Sequence, residues 1–265
     1  MVLTKSNTLP DYGNWVPIRL LCLLAATTMI PAILLALSII NGWSWQLMAL
    51  FIILFVVSAL FLCYMAILYD VFSSNGGGLM EKVHEYVTER LPWDGHGLLL
   101  DVGCGAGALT IRCAKKFPEA HCVGIDYWGV KWDYSLLMCQ RNAEAEGLAD
   151  RCDFQKGDAN NLDFADGTFD AVVSNFVYHE ISDGKSREEL LLETLRVLKP
   201  AGSFALQDIF GKRSVYGDFM KTVQRLGTNT VSEINYADSA SEIPIPKWMR
   251  VTGILSGVGI IYGRK

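Results

Sequence analysis

Leu98-Leu-Leu-Asp-Val-Gly-Cys-Gly-Ala-Gly-Ala108 is the stretch from which the fold can be read. Leu98–Val102 is an apolar run of strand length, and it stops at Gly103. Glycine recurs at Gly105 and Gly107, and the spacing of Leu109–Phe117 then predicts a helix. A strand that turns through glycines into a helix lets a ligand approach the backbone, because no Cβ stands in the way. Asp101 interrupts the run two residues before the first glycine.

Outward from this turn, strands and helices alternate. His121–Ile125 is a second apolar run ending at Asp126, Tyr134–Gly147 is helical, and Cys152–Lys156 is a short strand. Phe169–Asn175 reads as a buried strand, Arg187–Leu198 as a helix, Ser203–Gln207 as a strand and Val215–Leu226 as a helix. Such alternation predicts an α/β fold, a mostly parallel sheet covered by helices on both faces. Upstream, Leu79–Leu91 reads as a helix with Leu79, Val83, Tyr86 and Val87 on one face, stopped by Pro92.

Composition is unevenly spread over the 265 residues. No Asp, Glu, Lys or Arg occurs from Leu20 to Tyr69, whereas Asp70–Lys265 holds 21 Lys and Arg against 27 Asp and Glu. An acidic domain without basic runs is a poor match for a nucleic-acid backbone. Leu20–Ile40 reaches about 31 Å as a helix and Gln46–Tyr69 about 36 Å, against a hydrocarbon core of ~30 Å. Asn41-Gly42 between them is a turn signal, and Trp43 and Trp45 suit a headgroup belt. The expectation is a hairpin crossing the membrane twice, with Pro31 tolerated inside the first span. A four-residue stripe of small side chains, Thr28, Ala32 and Ala36, is expected to face the second span.

A cleaved signal peptide would have a shorter apolar core, and two buried core helices of this length in succession are rare in water-soluble folds. Lys5 and Arg19 flank the first span, so the positive-inside rule puts the N-terminus and the domain after the hairpin in the cytoplasm. The expected division is a membrane hairpin over 1–70, a linker and lead-in helix over 71–96, and a ligand-binding domain over 97–265. The seven cysteines are irregularly spaced and read as reduced small hydrophobes, with no metal site indicated.

The glycine turn has two readings. Gly103-x-Gly105-x-x-Ala108 satisfies a dinucleotide fingerprint, and Asp126 falls about 20 residues on, where a ribose-binding acid belongs. Asp101, however, would sit poorly beside a pyrophosphate and suits a cationic ligand. A third strand-end acid follows in Gly157-Asp158-Ala159. Acids at the ends of parallel strands converge on the crevice where open α/β sheets bind ligands.

From about Gly97 to Phe210 the chain resembles the class I S-adenosylmethionine-dependent methyltransferases, of small-molecule type. Asp101–Gly107 looks like the first motif, with Gly103, Cys104, Gly105 and Gly107 forming its turn. Asp126 resembles the ribose-binding acid, Asp158-Ala159 the adenine site, and Phe169–Asn175 the fourth strand. Leu198-Lys-Pro-Ala-Gly202 is similar to the turn before the fifth strand, with Ala201 where glycine is commoner. The resemblance implies a Rossmann-like sheet, S-adenosyl-L-methionine as cofactor, and a C-terminal antiparallel hairpin near Val231–Tyr236 and Val258–Tyr262. The two membrane spans lie outside it.

The residues agree with that cofactor. Asp126 can accept both ribose hydroxyls, with Tyr127 beside it, and Asp158 an adenine amino group, while Asp101 and Asn175 bring polarity to the amino-acid end. For the reaction itself the candidates are His179 as base, flanked by Tyr178 and Glu180, just past the fourth strand. Phe176, Phe210, Tyr216, Phe219, Met220, Trp248 and Met249 are expected on the acceptor side. The reading is a membrane-anchored methyltransferase acting on O, S or N of a small, hydrophobic acceptor. The alternatives are an NAD(P)-dependent reductase on a similar fold and a non-catalytic S-adenosylmethionine sensor.

Overall fold

The computed structural model describes residues 9–129, 134–182, 184–251 and 253–265. The chain divides into two compact units: the chain up to Tyr12 together with Glu81–Lys265, and Gly13–Met80. This differs from the expected division, because the residues just before the apolar hairpin and most of the lead-in helix belong with the ligand-binding unit.

Gly13–Met80 holds two antiparallel helices, α1 (Ile18–Ile40) and α2 (Trp45–Phe72), each long and apolar enough to cross a membrane. Both exceed the expected spans by a few residues. The half-buried or buried positions of α1 are Leu20, Leu21, Leu24, Thr28, Pro31, Ala32, Leu34, Leu35 and Ser38, and the three fully buried ones, Thr28, Pro31 and Ser38, share one face. In α2 Leu68 and Phe72 are buried, and Met48, Ala49, Phe51, Ser58, Ala59, Leu62, Tyr64, Met65, Tyr69 and Val71 are half-buried. Of the stripe of small residues, Thr28 is buried and Ala32 half-buried, whereas Ala36 is exposed and Ser38 is buried beyond it. Thr28 and Ser38 turn their hydroxyls back onto the carbonyls of Leu24 and Leu35, so each packs without an orphaned polar group. The outward faces are aliphatic, with Leu23, Ile30, Ile33, Val57, Leu60 and Phe61 exposed. Asn14 donates to the Tyr69 carbonyl and Trp15 meets Phe72 edge-on, closing the open end of the hairpin.

Helix α3 (Leu79–Arg90) follows, with Val83, Tyr86 and Val87 buried as expected. His84 is buried too, and burial followed by nearby Arg112 lowers its pKa to about 3. The sheet comprises β1 (Gly97–Val102), β2 (Ala120–Asp126), β3 (Cys152–Lys156), β4 (Phe169–Asn175), β5 (Leu198–Asp208), β6 (Glu233–Ala237) and β7 (Gly259–Arg264). Their order is β3-β2-β1-β4-β5-β7-β6, parallel except for β7, which runs antiparallel to both neighbours. The chain builds outward from β1 to β3, then returns to place β4 on the other side of β1. The crevice between β1 and β4 is thus the switch point at which such sheets bind ligands.

Between the strands lie α4 (Ala108–Lys116), α5 (Leu136–Ala145), α6 (Arg187–Arg196), α7 (Arg213–Tyr216), α8 (Phe219–Asn229), α9 (Ser239–Glu242) and α10 (Lys247–Val251). One sheet face is apolar near its centre except for Ser174, whose hydroxyl donates to Val102 O: Leu100, Val102, Val172, Phe204, Leu206 and Ile261 meet Leu190, Leu191 and Leu195 of α6 and Val223 and Leu226 of α8. Each such side chain contributes about 1.5–3 kcal/mol by leaving water. Ser186 and Glu189 close a capping box that starts α6 where the apolar pattern needs it.

The C-terminal strands pair antiparallel as expected, with α9 and α10 in the connection between them. Two expectations need correction. The helix over Val215–Leu226 is broken at Gly217 (φ 62°) into α7 and α8. Leu198-Lys-Pro-Ala-Gly202 lies inside β5 as an irregularity, with Ala201 at φ 62° in a region that costs residues with a Cβ. The C-terminal residue holds it there: Ala201 N–H donates to Lys265 O, and Lys265 N–H to Gly202 O, both at 2.9 Å.

Candidate active site

The turn after β1 places Gly103, Gly105 and Gly107 at φ 77°, 57° and 81°. Gly103 and Cys104 both point their N–H groups at the Ile125 carbonyl, which ties the turn to β2. A Cβ on Gly103 would stand 2.1 Å from a Val177 methyl, so this glycine lets the segment after β4 pack directly on the turn. Gly105 N–H donates to Asp126 Oδ2 at 2.9 Å, while Asp126 Oδ1 accepts the Trp128 N–H at 2.7 Å. The Trp128 indole returns a bond to Gly105 O at 2.8 Å. Asp126 is thus a structural clamp on the turn as well as a strand-end acid. Its carboxylate keeps lone pairs for further donors. Cys104 is buried, and its thiol is pushed well above its ordinary value by burial and by Cys139.

Asp101 is fully buried in β1. Its Oδ2 accepts from Thr110 of α4 at 2.6 Å, and its Oδ1 has no partner among the described residues. Burial pushes this carboxyl up to about 7, against the Thr110 hydrogen bond, and Asp126 adds to the rise. Asn175 ends β4, half-buried, with a buried Oδ1 that likewise has no partner among the described residues. Register puts Asp101 opposite Val173 and Asn175 opposite Gln207, so all three polar side chains share one sheet face. Gln207 is fully buried, with both amide atoms unpartnered among the described residues. Unsatisfied oxygens beside a glycine turn complement a ligand that brings ammonium and hydroxyl donors, and S-adenosylmethionine is such a ligand. A pyrophosphate brings only acceptors and negative charge.

The remaining cofactor candidates are less committed. Asp158 is exposed just past β3, and its Oδ1 accepts from the Asn160 backbone and side chain at 2.8 and 3.1 Å. Ala159 packs against the core, and Tyr127 is exposed beneath the Lys156 ammonium, 4.8 Å from its ring centre.

Past β4 the backbone is strained. Phe176 has φ 58°, which a bulky side chain seldom adopts, and its N–H is held by Gln207 O at 2.9 Å. A single 3-10 turn, Tyr178–Glu180, follows. His179 is 21% exposed, enough for a ligand to reach the ring, and its Nδ1 lies 2.6 Å from Oδ1 of Asp208. Asp208 also accepts the His179 backbone N–H at 3.2 Å. Glu180 Oε1 approaches His179 Nε2 at 3.3 Å. Tyr178 is withdrawn from the reacting groups: its ring is fully buried and its hydroxyl meets Thr194 Oγ1 at 3.1 Å. Arg187 anchors the segment through the carbonyls of His179 and Ile181.

The aromatic group splits. Phe210 and Phe219 stack at 4.1 Å inside the core, and Met249 is buried as well. Tyr216 packs edge-on against both rings, and its phenol is pushed up by burial and by Asp208. Met220 and Trp248 are exposed, and Phe176 lies edge-on to His179 at 6.3 Å.

Residues 99–202 match the family described as "Methyltransferase domain". Sterol 24-C-methyltransferase of Eremothecium gossypii is 33% identical over 129 residues, 49% of this chain and 32% of that protein. Norajmaline N-methyltransferase of Rauvolfia serpentina is 31% identical, over 41% and 34%. A ubiquinone/menaquinone biosynthesis C-methyltransferase of Desulfotalea psychrophila is 28% identical, over 62% and 63%. The match thus spans about a third of the first of these relatives. Among solved structures, phosphoethanolamine N-methyltransferase 2 of Haemonchus contortus with S-adenosyl-L-methionine superposes with a TM-score of 0.53 at 16% identity, over 74% of this chain and 54% of that one. The cyclase SpnF gives 0.51 at 23%, over 70% and 81%. At these identities the superpositions speak for the fold alone. By the family match residues 99–202 carry a methyltransferase domain, and the motif order and strand order agree with the class I S-adenosylmethionine-dependent type.

Proposed function

We propose that the chain transfers a methyl group from S-adenosylmethionine to a nucleophilic atom of a small, lipophilic acceptor, and that α1 and α2 anchor it in a membrane with the domain in the cytoplasm. The observation that carries this reading is the pair of buried oxygens, Asp101 Oδ1 and Asn175 Oδ1, that have no partner among the described residues and lie beside a glycine turn. Asp101 and Asn175 would take the amino-acid end of the cofactor, Asp126 the ribose and Asp158 with Ala159 the adenine. The cofactor supplies a methyl group already activated for displacement. His179 would accept a proton at Nε2 from an acceptor that arrives protonated, and Asp208 holds the ring for it. Names among the relatives include sterol and quinone C-methyltransferases, so carbon joins O, S and N as the attacked atom, and hydrophobic acceptors are favoured.

Two aliphatic helices with outward-facing Leu, Ile, Val and Phe support the anchor. The chain leaves the catalytic unit at Tyr12 and rejoins it at Glu81, which suits an even number of crossings. Arg19 flanks the first span on the side assigned to the cytoplasm; Lys5, the other flanking cation, lies outside the described residues. Confinement to the bilayer would raise the encounter rate with a lipid-dissolved acceptor.

Incubating the full chain in vesicles with methyl-labelled cofactor and a membrane extract, followed by mass spectrometry, tests the reading. A labelled lipophilic product with release of S-adenosylhomocysteine is expected. Retention of NAD(P)H with no affinity for S-adenosylmethionine would replace it by the reductase, and tight binding without product in any extract by the sensor.

A further inference from the structure

Asn142, on α5, is 2% exposed, and its amide joins two distant parts of the chain. Oδ1 accepts the Asp11 N–H at 2.8 Å, and Nδ2 donates to Asp11 O at 2.7 Å. That is the pair of bonds a strand neighbour would make, with a side-chain amide in place of a peptide group. Nδ2 also donates to Ala106 O at 2.9 Å, in the middle of the glycine turn. Three successive carbonyls of the turn are held: Cys104 O by Gly107 N–H, Gly105 O by the Trp128 indole and the Cys139 thiol, and Ala106 O by Asn142. A second tie lies one residue along. Tyr12 donates to Glu146 Oε1 at 2.9 Å, and Lys115 of α4 reaches the same oxygen at 2.7 Å.

We propose that Leu9–Tyr12, which precedes the apolar hairpin, is a working part of the cofactor site, with Asn142 as the positioning residue that couples it to the glycine turn. The segment clasps α5, and α5 fixes the carbonyl of Ala106. Whatever orders the turn therefore favours the clasp, and the clasp favours the ordered turn, to the same extent by linkage. The hairpin is then an excursion within the catalytic unit, and removing the segment before it would weaken cofactor binding although it lies outside the 99–202 family match. This inference rests on the glycine turn binding S-adenosylmethionine.

Calorimetric titration of S-adenosylmethionine into the full chain in lipid nanodiscs tests it. Asp11→Pro deletes the N–H that Asn142 accepts and leaves Asn142 bound to Ala106. It should weaken binding by about fivefold, the equivalent of one ordinary hydrogen bond, and Asn142→Ala by about tenfold or more. The KM for cofactor should rise with kcat and the acceptor KM retained, which a general loss of fold would not do. On wild-type protein, hydrogen exchange at the Asp11 amide should slow when cofactor is added. Wild-type affinity in Asp11→Pro, or unchanged exchange at Asp11, would overturn the clasp while leaving the cofactor site standing. A wild-type chain that fails to bind S-adenosylmethionine would overturn both.

Discussion

His179 Nδ1 and Asp208 Oδ1 are 2.6 Å apart, and the carboxylate has no exposed surface. Asp208 accepts backbone N–H bonds from His179 and Ile209 as well, so it is bound to both the ring and the segment that carries it. A buried carboxylate on Nδ1 keeps the proton on that nitrogen and leaves Nε2 to accept one. Asp208→Asn preserves shape and removes the charge. Turnover should fall by about 10²-fold, within the range for losing a general base, with S-adenosylmethionine affinity kept. His179→Ala should do the same in steady-state assays with a protonated acceptor. Wild-type turnover in both variants would remove the pair from the reaction.

Asp126 clamps the turn and is proposed to hold the ribose, and its substitution tests the two together. Because it accepts the N–H groups of Gly105 and Trp128, Asp126→Ala loosens the turn besides losing the proposed ribose contacts. Cofactor affinity should fall by about 10²-fold, two or three hydrogen bonds' worth. Asp126→Asn, which can still accept at one oxygen, should fall between. Circular dichroism should show the sheet intact in both, since a strand-end acid is not core. Unchanged binding by calorimetry would take Asp126 out of the site.

The element order was readable because apolar runs bounded by glycine, proline and acids leave few alternatives to a parallel sheet. Asp101 and Asp126 were readable for a related reason: each ends or interrupts such a run where side chains meet a crevice. Asp208 escaped notice because Leu206-Gln207-Asp208 looks like a strand fading into a loop, and its partner is 29 positions away. The same pattern of an acid at a strand end could have found it. Asn142 carried no local signal, since one Asn in an amphipathic helix usually faces solvent. Helix α1 was legible in part: of the four-residue stripe of small side chains Thr28 and Ala32 are shielded, whereas Ala36 is exposed and the shielded face continues through Ser38.

Glu193 makes an acid-stability prediction. It accepts Leu162 N–H and two bonds from Arg196, with Lys185 close by. The Arg196 bonds lower its carboxyl to about 2 in spite of burial. A depressed carboxyl stabilises the fold above the ordinary value of 4.5, and that contribution is lost as pH falls toward about 2. Urea titrations should show stability declining over this window, and Glu193→Gln should lower stability at pH 7 and flatten the decline. An equal slope in wild type and variant would contradict the assignment.

Asp101 should make cofactor binding depend on pH over a higher window than an ordinary strand-end acid would. Its carboxyl is raised to about 7, so between the ordinary 3.8 and 7 the native chain keeps a proton that the unfolded chain has given up. Stability of the free protein therefore falls as pH rises through that window. A cationic ligand beside Oδ1 favours the ionised form, so binding below pH 7 must expel the proton. S-adenosylmethionine affinity should rise by up to about tenfold per unit from pH 5.5 to 7 and then level off. Calorimetry in buffers of different ionisation enthalpy should register close to one proton released at pH 6 and none at pH 8. Asp101→Asn should bind weakly with no slope. If wild-type affinity is flat between pH 5.5 and 7, the buried carboxyl is not what the positively charged end of the cofactor meets.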